Sequence, residues 1–140
     1  MSASAALQKL FYEALRANAG VSAMVGDRVY DHVPADGAGK VTAEFPYISF
    51  GAYDFVPDDS DCIYAGEHTV QIDIWSRAVG KVEAKTITDA VRRLLRDYEA
   101  DMGDYGLVEM RVDLAEVIGD PDGLTSHGIV QVTALIEEPE

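Results

Sequence analysis

Residues 66–75 carry the clearest periodicity in the chain: Gly66-Glu67-His68-Thr69-Val70-Gln71-Ile72-Asp73-Ile74-Trp75. One side of this segment holds His68, Val70, Ile72 and Ile74, and the other holds Thr69, Gln71, Asp73 and Trp75. Successive side chains of a β-strand point to opposite faces of the sheet. The pattern therefore predicts a strand with one apolar face.

Three further segments alternate in the same way, over residues 45–53, 107–117 and 126–136. Pro46 stands near the start of the first, where a strand can spare an amide donor. Between the last two lies Gly119-Asp120-Pro121-Asp122-Gly123, which contains the Pro and Gly that turns require. We therefore expect the last two strands to form an antiparallel hairpin.

Two segments have helical rather than strand spacing. Near the N-terminus the apolar stripe is Leu7, Leu10, Phe11 and Leu15, and we expect Gly20 to end this helix, with one short further turn over residues 22–26. The second helix is predicted from Gly80 to about Tyr98, with an apolar stripe of Val82, Ile87, Ala90, Val91, Leu94 and Leu95.

The order of these segments predicts an α+β fold. We expect an antiparallel or mixed β-sheet of about four to five strands, packed against two amphipathic helices on one face. A length of 140 residues is typical of one domain, so residues 1–140 are predicted to form a single domain. Within it, residues 54–65 are expected to form an exposed acidic loop, and residues 137–140 a short solvated tail.

The charge is strongly acidic, with 25 Asp and Glu against 11 Lys and Arg and a net charge of −14. Such a surface repels nucleic-acid phosphates and anionic lipid. Apolar runs of about 18 residues, which could cross a bilayer, do not occur, so we expect no membrane partner. The first 15 residues also lack the basic start and apolar run of a secretory signal.

The residues predict no catalytic, cofactor-binding or metal site. Cys62 is the single cysteine, and its neighbours Asp58, Asp59, Asp61 and Glu67 disfavour the thiolate that a nucleophile needs. The three histidines, His32, His68 and His127, have no metal-ligand spacing. No phosphate-binding, dinucleotide-binding or hydrolase motif occurs.

One segment has a partial similarity to a calcium-binding loop. Asp120-Pro121-Asp122-Gly123 begins like such a loop, but Leu124 occupies the fifth position, where an oxygen ligand is required. Asp, Pro and Gly are also the residues that a turn uses. We therefore interpret the segment as a turn.

Two charged segments and one set of aromatic residues are candidate partner-binding sites. The second helix carries five cations of this acidic chain, and residues 54–61 carry four aspartates. The nine charged candidates are Lys81, Lys85, Arg92, Arg93, Arg96, Asp54, Asp58, Asp59 and Asp61. Four aromatic residues, Tyr47, Tyr53, Tyr64 and Trp75, are expected on the less apolar sheet face, where they would either meet a partner or pack under a second layer.

The order of several segments resembles one protein family. The most specific are the runs Gly26-Asp27-Arg28-Val29-Tyr30-Asp31-His32-Val33-Pro34, His68-Thr69-Val70-Gln71-Ile72-Asp73-Ile74-Trp75-Ser76-Arg77 and Asp120-Pro121-Asp122-Gly123-Leu124-Thr125-Ser126-His127-Gly128. With the first helix, Phe45-Pro46-Tyr47-Ile48 and the second helix, they resemble the small tail-completion, or tail-terminator, proteins of long-tailed phages and gene transfer agents. The resemblance covers nearly the whole chain.

This resemblance implies a structural protein that forms a ring of six copies. The ring would cap the tail tube, stop its polymerisation and join the tail to the head-completion or neck protein. The implied partners are further copies of the chain, the tail tube protein, the neck protein and DNA that passes through without tight binding. The implied location is the tail–neck junction of a particle assembled in the host cytoplasm, and the resemblance implies neither a cofactor nor catalysis.

Two other classes of function remain open from the residues alone. An acidic regulatory module that binds a cellular protein would be a monomer or dimer that never enters a particle. A small enzyme would have to assemble its site from distant Asp, His and Tyr side chains. Turnover that is lost on changing His68 or His127 would identify such an enzyme.

Overall fold

The computed structural model describes all residues 1–140 and has three helices and five strands. In chain order these are α1 (Ala3–Ala17), α2 (Ala19–Val25), β1 (Val29–Tyr30), β2 (Tyr47–Pro57), β3 (Tyr64–Ser76), α3 (Val82–Leu95), β4 (Gly106–Gly119) and β5 (Ser126–Glu138). The predicted α+β fold class is confirmed.

The five strands form one mixed sheet in the order β1-β2-β3-β5-β4. β1 pairs parallel to β2, and every other pair is antiparallel, including the predicted β4–β5 hairpin. β3 and β5 lie at the centre and pair over 13 residue positions, from Tyr64↔Glu138 to Ser76↔Ser126. The alternating segment described first is therefore a central strand.

The core lies between the three helices and one face of the sheet. Leu7, Phe11 and Leu15 of α1 are fully buried, as the stripe predicted, and α3 contributes Ile87, Val91 and Leu95. These helices meet the apolar side of the central strands, which presents Ile72, Ile74, Val130 and Val132. Burial of large aliphatic side chains supplies most of the free energy of folding.

The first helical segment ends differently from the prediction. Asn18, not Gly20, ends α1, because its backbone is extended (φ −75°, ψ 122°). Its amide donates to Ala14 O at 3.1 Å, while its side-chain oxygen accepts the Val21 N–H at 3.0 Å and so caps α2. Gly20 lies within α2. Asparagine is favoured just before a helix because its side-chain oxygen accepts a hydrogen bond from an amide that has no partner inside the helix.

α3 is shorter than predicted and begins at Val82. It approaches β5 closely at Gly128, where an added Cβ would overlap the hydroxyl of Thr88. The sheet therefore needs a residue without a side chain at this position. This contact fixes α3 over the β4–β5 half of the sheet.

Residues 54–65 are not one loop, which corrects the sequence-based prediction. Residues 54–57 belong to β2 and residues 64–65 to β3, so only residues 58–63 form the turn between the two strands. The acidic side chains are exposed and do not prevent pairing, because backbone hydrogen bonds hold the two strands together. The predicted tail is likewise shorter, since Glu137 and Glu138 pair with β3.

A bulge in β2 changes the predicted face of one aromatic residue. The β2–β3 register shifts between Phe50 and Tyr53, where Gly51 and Ala52 together lie opposite the single residue Gln71. A bulge of this kind exchanges the two faces of the strand beyond it. Tyr53 consequently lies on the helix-facing side. Tyr64 lies on that side too, because it is an even number of residues away from His68 and Val70 in β3, so the predicted face was wrong for both tyrosines.

Candidate interaction surfaces

One face of the sheet has no helix on it, and we call it the open face. It carries the polar side of the alternating strands: Ser49 from β2, Thr69, Gln71, Asp73 and Trp75 from β3, His127, Gln131 and Thr133 from β5, and Arg111 from β4. The alternation in residues 66–75 had separated this polar set from the apolar one. The alternation does not indicate whether a helix covers this polar side.

Hydrogen bonds connect the side chains on the part of the open face that lies nearer to β1. Trp75 Nε1 donates to Ser49 Oγ at 2.9 Å, and the Trp75 ring stacks on the His127 ring with centroids 3.9 Å apart. Asp73 Oδ1 accepts from His127 Nε2 at 2.6 Å and from Gln71 Nε2 at 2.9 Å. These contacts link the side chains of β2, β3 and β5 into one group, in which the Trp75 and His127 rings are nearly parallel. His127 lies near the start of the central strand β5, with the Asp73 carboxylate as its partner.

A second set of bonds crosses the other half of the open face. Thr69 and Thr133 share a hydroxyl–hydroxyl bond at 2.9 Å, and Thr133 also donates to Asp113. Arg111 then donates to Asp113 at 2.9 Å and to Glu67 at 3.1 Å. The hydrogen bonds that Arg111 donates to Asp113, and then to Glu67, raise the pKa of Arg111. These side chains therefore form a rigid polar surface.

The open face is strongly acidic. Arg111 is the one Lys or Arg residue in the four long strands. Seven carboxylates lie on this face by register or by contact: Asp54, Glu67, Asp73, Glu109, Asp113, Glu116 and Glu137. A DNA phosphate near this face would meet repulsion rather than binding.

The β2–β3 hairpin extends beyond the helices, and we call residues 53–65 the arm. Every residue from 51 to 64 is exposed, whereas residues 47–49 of the same strand are buried. At the tip Ser60 and Ile63 exchange two backbone hydrogen bonds of 3.0 and 3.1 Å, and Cys62 adopts a positive φ of 66°. The arm exposes five large apolar side chains, each close to half accessible: Tyr53, Phe55, Val56, Ile63 and Tyr64.

The four predicted aspartates all lie on the arm. Asp54 is in β2 and lies on the open face, while Asp58, Asp59 and Asp61 belong to the turn. Asp59 Oδ1 accepts the Ala65 N–H at 3.1 Å, so the turn has a defined conformation. None of the four forms an ion pair.

A buried histidine stands at the base of the arm. His68 is 2% exposed, lies beneath the Phe55 ring with centroids 4.8 Å apart, and bonds through Nδ1 to the Tyr53 hydroxyl at 2.8 Å. Its Nε2 has no hydrogen-bond partner. Burial lowers the pKa of His68, and nearby Glu138 opposes that effect. His68 is therefore neutral at pH 7. Its burial agrees with the sequence, where it lies on the apolar side of the alternating residues 66–75.

The five predicted cations lie on or beside α3. Lys81 and Arg96 are the cap residues of the helix, and Lys85, Arg92 and Arg93 lie within it. Across the chain, carboxylate partners are found for five of the 11 Lys and Arg, namely Lys9, Arg16, Arg77, Arg92 and Arg111. Four of the remaining six are α3 cations: Lys81, Lys85, Arg93 and Arg96.

The turn of the acidic arm and the start of the basic helix lie far apart in one chain. Ser76, at the end of β3 opposite the arm, donates to Glu83 in the first turn of α3 at 2.8 Å. The 13 residues of β3 span about 40 Å at roughly 3.3 Å each. The start of α3 is therefore far from the turn of the arm. The end of α3 lies level with the base of the arm, because the Asp97 amide donates to Met110 O, and Met110 is in register with Ala134 and His68.

The segment with partial similarity to a calcium loop is a turn. Asp122 accepts hydrogen bonds from the Leu124 and Thr125 amides, both at 2.8 Å, and from the Thr125 hydroxyl at 2.6 Å. The Thr125 hydroxyl bond and then the two amide bonds lower the pKa of Asp122. Its carboxylate oxygens thus hold the chain of the turn, as the turn interpretation requires.

Neither a metal cluster nor a membrane helix is found. No three His, Cys, Asp or Glu side chains gather in a way that could hold an ion. None of the helices has the length and apolar character needed to cross a bilayer.

Two solved structures are similar to this fold. A chain in the virion of a native gene transfer agent particle superposes with a TM-score of 0.86 at 26% identity, covering 97% of this chain and 98% of that one. The structure of the gp17 protein of bacteriophage SPP1 superposes with a TM-score of 0.58 at 25% identity, covering 94% and 89%.

The sequence similarities point to the same group. The tail completion protein gp17 of Bacillus phage SPP1 is 28% identical over 88 residues, and this alignment spans 63% of this chain and 65% of that relative. The family model described as tail completion protein gp17 matches residues 9–137. A match of this extent leaves only the first eight and last three residues outside, and the chain therefore belongs to the tail completion protein gp17 family.

Proposed function

We propose that this chain is a structural tail-completion protein that forms a ring at the end of a tail tube. The ring stops tube polymerisation and joins the tail to the head-completion or neck protein. The observation that carries this proposal is the match over 97% of the chain to a component of a native gene transfer agent particle. Six copies is the number that the family resemblance implies.

The location that follows is the tail–neck junction of a virion or gene transfer agent particle. Family membership and the match to a particle component both support a place in the particle. Its neighbours there are further copies of this chain, the tail tube protein and the neck protein. A structural role of this kind uses no catalytic group or cofactor, and it involves no membrane.

The open face supports the passage of DNA through such a ring. A conduit must not hold the DNA, because each phosphate that a Lys or Arg neutralises adds affinity. Seven carboxylates and a single arginine on the open face provide the opposite charge pattern. We therefore assign the open face to the lumen.

The decisive experiment removes the gene from a strain that produces particles. Without a terminator, tubes continue to grow, so we expect a broad distribution of tube lengths and few tailed heads by electron microscopy. A plasmid copy of the gene should restore uniform tails. In purified wild-type particles, mass spectrometry should detect the chain and cryo-microscopy should show it between tube and neck.

Two outcomes would contradict the proposal. Tubes of normal length and normal particle yield without the gene would exclude a terminator. Absence of the chain from purified particles would favour the regulatory-module interpretation instead, because such a module acts on a cellular partner outside the particle.

A further inference from the structure

We infer that the arm of one copy docks on the α3 surface of the next copy in the ring. The α3 surface comprises Lys81, Val82, Lys85, Arg93 and Arg96, together with Val79 and Leu124 beside the start of the helix. This inference rests on the proposed ring. It assigns the contact between copies to two specific surfaces.

Charge complementarity is the first argument. Asp58 and Asp61, in the turn of the arm, have neither an ion pair nor a side-chain hydrogen bond within the chain. The largest group of unpaired cations lies on α3, at Lys81, Lys85, Arg93 and Arg96. An acidic surface and a basic surface without internal partners attract each other across an interface and fix its register.

Apolar exposure is the second argument. The arm presents Tyr53, Phe55, Val56, Ile63 and Tyr64 to solvent. Beside the start of α3, Val79 and Leu124 are exposed at 105% and 71% and line a cleft of about 360 Å³, and Val82 is exposed at 76%. Aromatic side chains on one surface and the exposed Val79, Val82 and Leu124 on the other provide apolar contacts at the centre of such an interface.

Geometry is the third argument, and it selects a second copy as the occupant. The turn of the arm and the start of α3 lie at opposite ends of β3, about 40 Å apart, so one chain cannot make this contact with itself. Two different surfaces at opposite ends of one chain give a head-to-tail contact. Repeated contacts of this kind form a ring when the rotation from one copy to the next closes, as the proposed ring requires.

The single native cysteine allows a direct test, because exposed Cys62 lies at the tip of the arm. Thr86→Cys adds a second thiol to the exposed side of α3 without changing any charge. In purified particles that carry this variant, a short bismaleimide linker should join each arm to the next copy. Denaturing gels should then show a ladder of multimers larger than the dimer.

The matched control is Ala38→Cys, which places a thiol in an exposed turn outside both surfaces. It should give no ladder. A ladder from Ala38→Cys, or none from Thr86→Cys in particles that contain the protein, would overturn the arm–α3 contact while leaving the proposed function intact. Particles that lack the protein would instead refute the proposed function.

Charge reversal gives an independent readout that does not depend on a linker. Asp58→Lys with Asp61→Lys should reduce the yield of completed particles about tenfold, as expected if the contact weakens by about 1.4 kcal/mol. Adding Lys85→Glu and Arg93→Glu should restore the yield. Each surface then carries the opposite charge, and the two surfaces still attract each other.

The control for the total change of charge is Asp31→Lys with Glu44→Lys. Both residues are exposed, unpaired and outside the two surfaces. This pair should leave the yield unchanged. An equal loss in the control pair, or no rescue in the fourfold variant, would exclude the specific contact.

Discussion

At the scale of single residues, burial of His68 makes the stability of the fold depend on pH. The unfolded chain takes up a proton near the ordinary histidine pKa of 6.5, whereas burial lowers the pKa of His68 in the folded chain. Between these two values the unfolded state binds more protons, so its free energy falls relative to that of the folded state. Above pH 6.5 the neutral His68 therefore does not destabilise the fold. As the pH falls below 6.5, the free energy of unfolding decreases because the unfolded chain binds the proton more readily.

We expect the wild type to lose more stability than His68→Gln on going from pH 7.5 to about pH 5.5. Urea denaturation at each pH measures this difference directly. The control is His32→Gln, because His32 is exposed and its removal should leave the pH dependence of the wild type unchanged. Equal pH dependence in the wild type and His68→Gln would show that His68 does not contribute.

At the scale of secondary-structure elements, Asn18 separates α1 from α2 and caps the second helix. Its side-chain oxygen accepts the Val21 N–H at 3.0 Å. Asn18→Ala removes that bond, and we expect a loss of about 1 kcal/mol in the free energy of unfolding, measured in urea. Val21 and Val25 of α2 are fully buried, so the short helix is coupled to the core.

Asn18→Ser is the matched control for this element. A serine hydroxyl caps a helix about as well as an asparagine side chain, so this variant should stay close to the wild type. Equal destabilisation by Ala and Ser would mean that the extended backbone of residue 18, rather than the cap, requires asparagine.

At the scale of the whole molecule, the distribution of charge matters more than its total. The carboxylates of the open face include Glu109 and Glu116 of β4, which are exposed and have no ion-pair partner. If this face lines the lumen, Glu109→Lys with Glu116→Lys should place cations along the path of the DNA. We expect particles in normal number that deliver less DNA, with partial recovery at higher salt, because salt weakens phosphate contacts.

The same Asp31→Lys and Glu44→Lys pair is the control, because it changes the net charge equally at residues outside the strands of the sheet. It should deliver DNA normally. Normal delivery by the β4 variant would remove the open face from the lumen, and equally poor delivery by both would indicate an effect of net charge alone.

The sequence by itself determined the fold class, the two main amphipathic helices and the family. Periodicity was sufficient because the core-facing sides of β3, β5, α1 and α3 are continuous, and each element must bury its apolar side. The resemblance to tail-completion proteins is confirmed by the family match over residues 9–137 and by the SPP1 relative. The expected place in a phage or gene transfer agent particle agrees with the match to a component of such a particle.

Only the tertiary structure decided which surfaces are free. The polar side of residues 66–75 is visible in the sequence, but its exposure depends on all three helices packing against the opposite face. The bulge at Gly51 and Ala52 places Tyr53 over His68, and alternation cannot foresee an extra residue in a strand. The acidic residues 54–65 form a paired arm because backbone hydrogen bonds between β2 and β3 set their conformation. Charged residues do not reveal such strand pairing in their local sequence, which is why these residues were predicted as a loop.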